Sequence, residues 1–180
     1  NQSKRNKMNP QINSISSLLK SKNGKIGIRG KSNVRISGEQ FNSYVQLLRN
    51  RYDAILVGIN TVIADNPRLT CRMKGGRNPA RIILDDKLKI PLNAKVLSNA
   101  KKETVIIATS KKRNKKKEAI LKSLGIRVLV CGKNKVSLKY LLSQLPKFGI
   151  ISALVEGGAQ TVRSALREKS ADKIILATSQ

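Results

Sequence analysis

Apolar residues along this chain fall into two periods. Phe41, Tyr44, Val45 and Leu48 sit at i, i+3, i+4 and i+7, which lines one face of an α-helix running to about Arg51. Ser37-Gly38-Glu39-Gln40 precedes them as a capping-box pattern, able to satisfy the free N–H groups of a first turn. Ser137 likewise caps a helix carrying Leu138, Leu141, Leu142 and Leu145, predicted to end near Gly149. Lys115 to Leu124 reads as a helix with Gly125 just past its end, and Gln160 to Glu168 as another. A short helix from about Asn60 to Asp65 is stopped by Asn66-Pro67.

The second period is that of strands. Ala54 to Val57, Arg81 to Leu84, Thr104 to Ala108, Ile126 to Val130, Ile150 to Val155 and Lys173 to Ala177 are short apolar runs bounded by turn residues. Ile12 to Leu19 alternates more loosely, Asn23-Gly24 is a hairpin turn signal, and Lys25 to Arg29 alternates again. Strands alternating with helices predict an α/β architecture, with a mostly parallel sheet flanked by helices; the opening hairpin makes it mixed. Residues 1–12 are expected to be a linker or tail and 13–180 one domain. No apolar run approaches the ~20 residues of a membrane span. No signal peptide is visible at the start, so the chain is expected to be soluble and cytoplasmic.

Composition narrows the chemistry. Aromatics are 3% of the 180 residues and Trp is absent, so the core must be built from Ile, Leu, Val and Ala. Histidine is also absent, which excludes Ser-His-Asp and Cys-His catalysis and His-based zinc sites within this chain. Cys71 and Cys131 form no CxxC and read as inert thiols; no metal site is expected. Lys+Arg number 37 against 10 Asp+Glu, a formal net charge of +27. Basic residues are spread along the chain, with one dense cluster from Lys111 to Lys117, and no aromatics interleave for base stacking. Three readings stand: a basic surface of no special role, attraction of an anionic small ligand, or a basic nucleic-acid-binding domain, the last resting on charge alone.

Gly24 to Ser32 nearly spells a phosphate-binding P-loop, but five residues separate Gly24 from Gly30 where four are needed, and Ile26 and Ile28 alternate as in a strand. No GxGxxG follows any strand. Glu156-Gly157-Gly158 sits between a predicted strand and the start of a predicted helix, where glycines allow close backbone approach and free N–H groups favour an anion. An ordinary βα loop has the same pattern, and spacing alone does not separate the two. Val57-Gly58-Ile59-Asn60-Thr61 repeats the arrangement, and two such loops suggest a two-part anionic ligand site at the carboxyl ends of the strands. Arg68 and Arg72 could clamp a phosphate there, or be solvated surface charges. So few acids suit chemistry that asks little of protein carboxylates, such as hydride transfer from a cofactor.

Leu48-Arg49, the run Asp53 to Val62, and Asp65-Asn66-Pro67-Arg68-Leu69-Thr70-Cys71-Arg72 closely resemble the riboflavin-biosynthesis pyrimidine reductase family. Asn78 to Asp85, Ile90-Pro91, Lys95-Val96-Leu97, Leu154 to Gly158, Ser164-Ala165-Leu166 and Asp172 continue the match in order, covering roughly Ser14 to Thr178. The resemblance implies a dihydrofolate-reductase-like fold and a homodimer. It implies NADPH-dependent reduction of a ribosylamino-pyrimidine 5′-phosphate to its ribitylamino form, by hydride delivery to ribose C1. The substrate is either 5-amino-6-(5-phosphoribosylamino)uracil or the 2,5-diamino-pyrimidinone. By family position Asn33, Arg49, Leu69, Arg72 and Glu156 would contact substrate, with Glu156 the catalytic candidate at the ribose. Lys20, Arg35, Thr61, Asp65, Asp86 and the stretch Gly158, Ala159, Gln160, Thr161, Val162, Arg163 and Ser164 would contact NADPH.

The chain departs from the family at Asn23, where Asp is usual, at Ser17, where many members carry Lys, and at Arg35, where bacterial members carry Trp. The family continues beyond this last strand with further strands, so the domain is expected to be incomplete at its C-terminal end. Bifunctional relatives carry an N-terminal zinc deaminase; its His-Ala-Glu and Pro-Cys-x-x-Cys signatures are absent here. Asn1 to Pro10 reads as the linker from such a domain.

Overall fold

The computed structural model describes residues 13–20 and 39–178. The elements, in chain order, are strand β1 (Asn13–Lys20), helix α1 (Glu39–Arg51), β2 (Ala54–Gly58), α2 (Ile59–Asp65), β3 (Ala80–Leu84) and β4 (Val105–Thr109). They continue with α3 (Lys115–Ser123), β5 (Arg127–Val130), α4 (Leu138–Gln144), β6 (Ser152–Glu156), α5 (Ala159–Arg167) and β7 (Lys173–Thr178). Every element that the periodicity predicts within the described residues is present, with ends shifted by a residue or two, except that α4 stops at Gln144 and not near Gly149. The hairpin at Asn23-Gly24 and its second strand lie outside the described residues, as does Ser37.

The strands form one sheet in the order β5-β4-β3-β2-β6-β1-β7, and the described pairings are all parallel. A parallel sheet needs crossovers that cover both faces, so its strands bury both sets of side chains. On one face Ala54, Leu56, Ile82, Ile106, Ala153 and Val155 pack under Leu138, Leu141 and Leu142 of α4 and Ala165 of α5. On the other, Ile55, Val57, Ile83, Val105 and Ile107 pack under Val62 of α2 and Leu121 of α3. Leu48 and Tyr52 of α1 close over Leu154.

Two features were not legible from the pattern. The segment after β3 folds back through a 3-10 turn, Lys95–Leu97, and puts Leu88, Ile90, Val96 and Leu97 into the second core. The helix begun by Ser137, whose hydroxyl accepts from Tyr140 N–H, gives way after Gln144 to a 3-10 turn through Leu145–Phe148. Pro146 has no N–H to continue the α-helical ladder, and Gly149 ends the turn at φ 73°.

Candidate functional site

The site begins with the order of the strands. From β2 the chain steps outward through β3, β4 and β5, then returns to place β6 on the other side of β2. The connections leaving β2 and β6 therefore diverge, which opens a crevice at their carboxyl ends. Both strands end there in glycine-bearing turns, Gly58 into α2 and Gly157-Gly158 into α5.

The glycines are required by space and by backbone. A Cβ on Gly58 would lie 2.6 Å from Thr161 Oγ1. Gly157 and Gly158 take φ of 79° and 81°, where a side chain is strained. A Cβ on Gly158 would lie 3.1 Å from Thr61 Oγ1 and 3.3 Å from Thr161 Oγ1. Two threonine hydroxyls thus flank a bare stretch of backbone, and α5 starts from it with no side-chain cap. Asn60 Nδ2 donates to Gln160 Oε1 at 3.4 Å, joining the starts of α2 and α5 across the crevice.

A cavity of about 590 Å³ opens from this cradle, a size usual for small-molecule and cofactor sites. Its walls include Thr61, Asp86, Gly158, Gln160, Thr161, Arg163 and Ser164, and further Lys135, Val136 and Arg167. Asp86 Oδ1 accepts from Val136 N–H at 2.7 Å, and its carbonyl accepts from Ser110 N and Oγ, so it ties the β3, β4 and β5 loops together.

The second half of the site lies on the α1 side of the same turn. Glu156 ends β6, and Arg49 projects from the last turn of α1. Arg49 Nε donates to Glu156 Oε1 at 2.9 Å and Nη2 to Oε2 at 2.6 Å, a forked pair. Arg49 Nη1 donates to the Thr70 carbonyl at 3.1 Å, which anchors the loop after α2. Burial draws the Arg49 guanidinium toward the neutral form, but Glu156 outweighs it and holds the pKa above the ordinary value. Both oxygens of Glu156 are engaged, yet each keeps a lone pair for a hydroxyl.

The structure brings most of the predicted residues together, but not all in the roles implied. Leu69 is buried in the second core at φ 55°, so its side chain faces the interior and its backbone is what it can offer a ligand. Val162 is also buried and contributes its N–H to Gly158 O, not a side chain to the cavity. Asp65 is exposed at the end of α2, outside the cavity wall. Arg72 is exposed beside α1, its N–H bonded to Gln46 Oε1. Arg68 is not its partner on one anion, because it lines a separate depression with Lys95, Lys101 and Lys102. Lys20 is placed by its backbone, at the end of β1; Asn33 and Arg35 lie outside the described residues. Lys135 and Arg167 line the cavity without being among the residues expected there. Nothing local marks them, since each is one lysine or arginine among 37.

Among the described residues no group of His, Cys, Asp and Glu could hold a metal ion, and no helix is long and apolar enough to cross a membrane.

Fold and site together define an α/β domain of dihydrofolate-reductase-like architecture with a two-part pocket at its carboxyl edge. Residues 15–179 match the RibD C-terminal domain family, and the chain belongs to it. It is 38% identical over 154 residues to riboflavin biosynthesis protein RibD of Aquifex aeolicus, a match covering 85% of this chain and 42% of that protein. It is 38% identical over 150 residues to the 2,5-diamino-6-ribosylamino-4(3H)-pyrimidinone 5′-phosphate reductase of the same organism, covering 83% and 66%. Among solved structures it is similar to the Thermotoga maritima diaminohydroxyphosphoribosylaminopyrimidine deaminase/5-amino-6-(5-phosphoribosylamino)uracil reductase. There the TM-score is 0.75 and the identity 28%, over 94% of this chain and 45% of that one. The chain spans less than half the length of the bifunctional relatives it matches.

Proposed function

We propose that this chain is a reductase that converts 5-amino-6-(5-phosphoribosylamino)uracil to its ribitylamino form with NADPH. The 2,5-diamino-pyrimidinone is the alternative substrate. The observation that carries the reading is the turn Glu156-Gly157-Gly158, which has a forked Arg49–Glu156 pair on one side and a glycine-lined cavity on the other. A dinucleotide fits the cavity's chemistry, because Gly58 and Gly158 leave bare backbone where a Cβ would close the cradle. When bound there, NADPH supplies the hydride that reduces ribose C1.

The chain's own residues position and bind. Gly158 and the first turn of α5 hold phosphate oxygens through backbone N–H groups. Arg49 fixes Glu156, and Glu156 accepts hydrogen bonds from hydroxyls of the opened ribose. Arg72, exposed and without an ion pair among the described residues, is a cation free to hold the substrate's 5′-phosphate. The reading carries with it a cytoplasmic homodimer, and it holds with or without an N-terminal deaminase domain in the natural chain.

The test is NADPH consumption by the natural full-length protein, offered each of the two ribosyl phosphates separately. Turnover with one supports the reading and names the substrate. A folded protein that neither turns over nor binds NADPH sinks it and returns the basic surface to a nucleic-acid role.

A further inference from the structure

We propose that Lys135 and Arg167 bind the 2′-phosphate of the dinucleotide and make the cavity select the phosphorylated over the unphosphorylated cofactor. This rests on the reading of the cavity as the cofactor site.

Gln160, Arg163, Ser164 and Arg167 all line the cavity, and they sit at i, i+3, i+4 and i+7 of α5. One polar stripe of the helix therefore runs along the groove, and at 1.5 Å per residue it places Arg167 about 10 Å beyond Gln160. The glycine cradle lies at the near end of that stripe. The 2′-phosphate of a dinucleotide sits one ribose away from its pyrophosphate. A site that grips the pyrophosphate at the cradle must therefore offer its second cation further along, as Arg167 does.

Lys135 lines the same cavity from the loop between β5 and α4, and that loop is held firmly. Gly132 O accepts from Lys111 N–H at 2.8 Å, and Cys131 O accepts from Ser137 N–H at 2.9 Å. The loop closes so tightly that a Cβ on Gly132 would lie 1.8 Å from Lys135 O. The Asp86 carboxylate clamps the next residue through Val136 N–H at 2.7 Å. Asp86 is the acid of the cavity wall, and one of its oxygens is committed to that clamp, which makes it a positioning residue for Lys135.

Charge balance supports the assignment. Lys135, Arg163 and Arg167 line the groove against one carboxylate, and none of the three makes an ion pair among the described residues. Arg49, Arg77, Arg81 and Arg113 are each paired with an acid. A phosphate monoester carries about −1.5 to −2 charge near neutral pH, so it neutralises what the fold leaves unpaired.

The experiment is equilibrium binding of NADPH and NADH, followed by cofactor fluorescence, with the full natural chain and its Lys135→Ala, Arg167→Ala and Arg167→Lys variants. Both positions are exposed, so the substitutions spare the core. Each alanine is expected to weaken NADPH roughly tenfold and leave NADH within about twofold, with Arg167→Lys in between. NADPH binding should also fall more steeply with salt than NADH binding. Alanine variants that leave NADPH affinity intact, or weaken both cofactors alike, overturn the proposal. So does a wild-type protein that binds NADH as tightly as NADPH, which would assign Asp86 to a free 2′-hydroxyl. A wild-type protein that binds neither cofactor refutes the proposed function itself, a separate and distinguishable result.

Discussion

Replacing Glu156 by Gln keeps the shape of the side chain and removes one charge of a forked pair. Two unit charges about 4 Å apart attract by ~1 kcal/mol in water and ~4 kcal/mol at the effective dielectric near a protein surface. Arg49 and Glu156 are only 14% and 13% exposed, so the second figure is the closer guide. Desolvation of both groups offsets part of it. The single substitution also leaves a largely buried guanidinium without its counter-charge, its remaining partners the new amide oxygen and the Thr70 carbonyl. We expect Glu156→Gln to cost about 2–4 kcal/mol of stability, and Arg49→Met a similar amount, because the two groups are equally buried. The double variant should be more stable than the sum of the singles predicts, with a coupling of roughly 1.5–3 kcal/mol. Urea denaturation of the four proteins measures it. Additive singles, with coupling below about 0.5 kcal/mol, would show that the pair is a solvated surface contact and refute this reasoning. Arg49→Lys separates charge from fork: it keeps the charge, loses the bidentate geometry, and should recover only part of the loss.

Gly58→Ala should destabilise the fold and weaken cofactor binding, because its Cβ meets Thr161 Oγ1 at 2.6 Å; adding Thr161→Ala should restore stability, and a thermal melt of single and double variants checks both. Asp53 has its pKa lowered, since burial is outweighed by hydrogen bonds from Ser152 Oγ, Ile151 N, Arg77 and Ser152 N. Its stabilisation is therefore complete above the unfolded value of about 3.9 and is lost as pH falls through the lower folded value. Denaturation between about pH 2 and about pH 7 should show Asp53→Asn equally destabilised from neutral pH to about pH 5, and the gap to wild type closing below that. Cys131 is buried, which pushes its thiol up to about 11, whereas Cys71 is half-buried. A thiol reagent near pH 8 should label Cys71 first and reach Cys131 only on unfolding; equal rates would refute the buried placement.

Much of this molecule is written locally. The two apolar periods set the helices and strands, because burying one face is a constraint between near neighbours in sequence. Gly58 and Gly157-Gly158 mark the strand-end turns, because only glycine tolerates the space and backbone those turns demand. The long collinear motifs add the family and its expected site residues. Arg81 shows where local reading stops: it opens a core strand by pattern, yet its buried guanidinium is held by Glu103 and the Ser98 carbonyl, neither of which the pattern indicates. The Arg49–Glu156 fork joins residues 107 positions apart. Leu69 and Val162 match the family motif in sequence, but their side chains face inward. Lys135 and Arg167 line one cavity only because the loop before α4 and the helix α5 meet over the same crevice. The crevice itself exists because β6 inserts beside β2, and strand order is decided by the packing of the whole sheet, which no local period encodes.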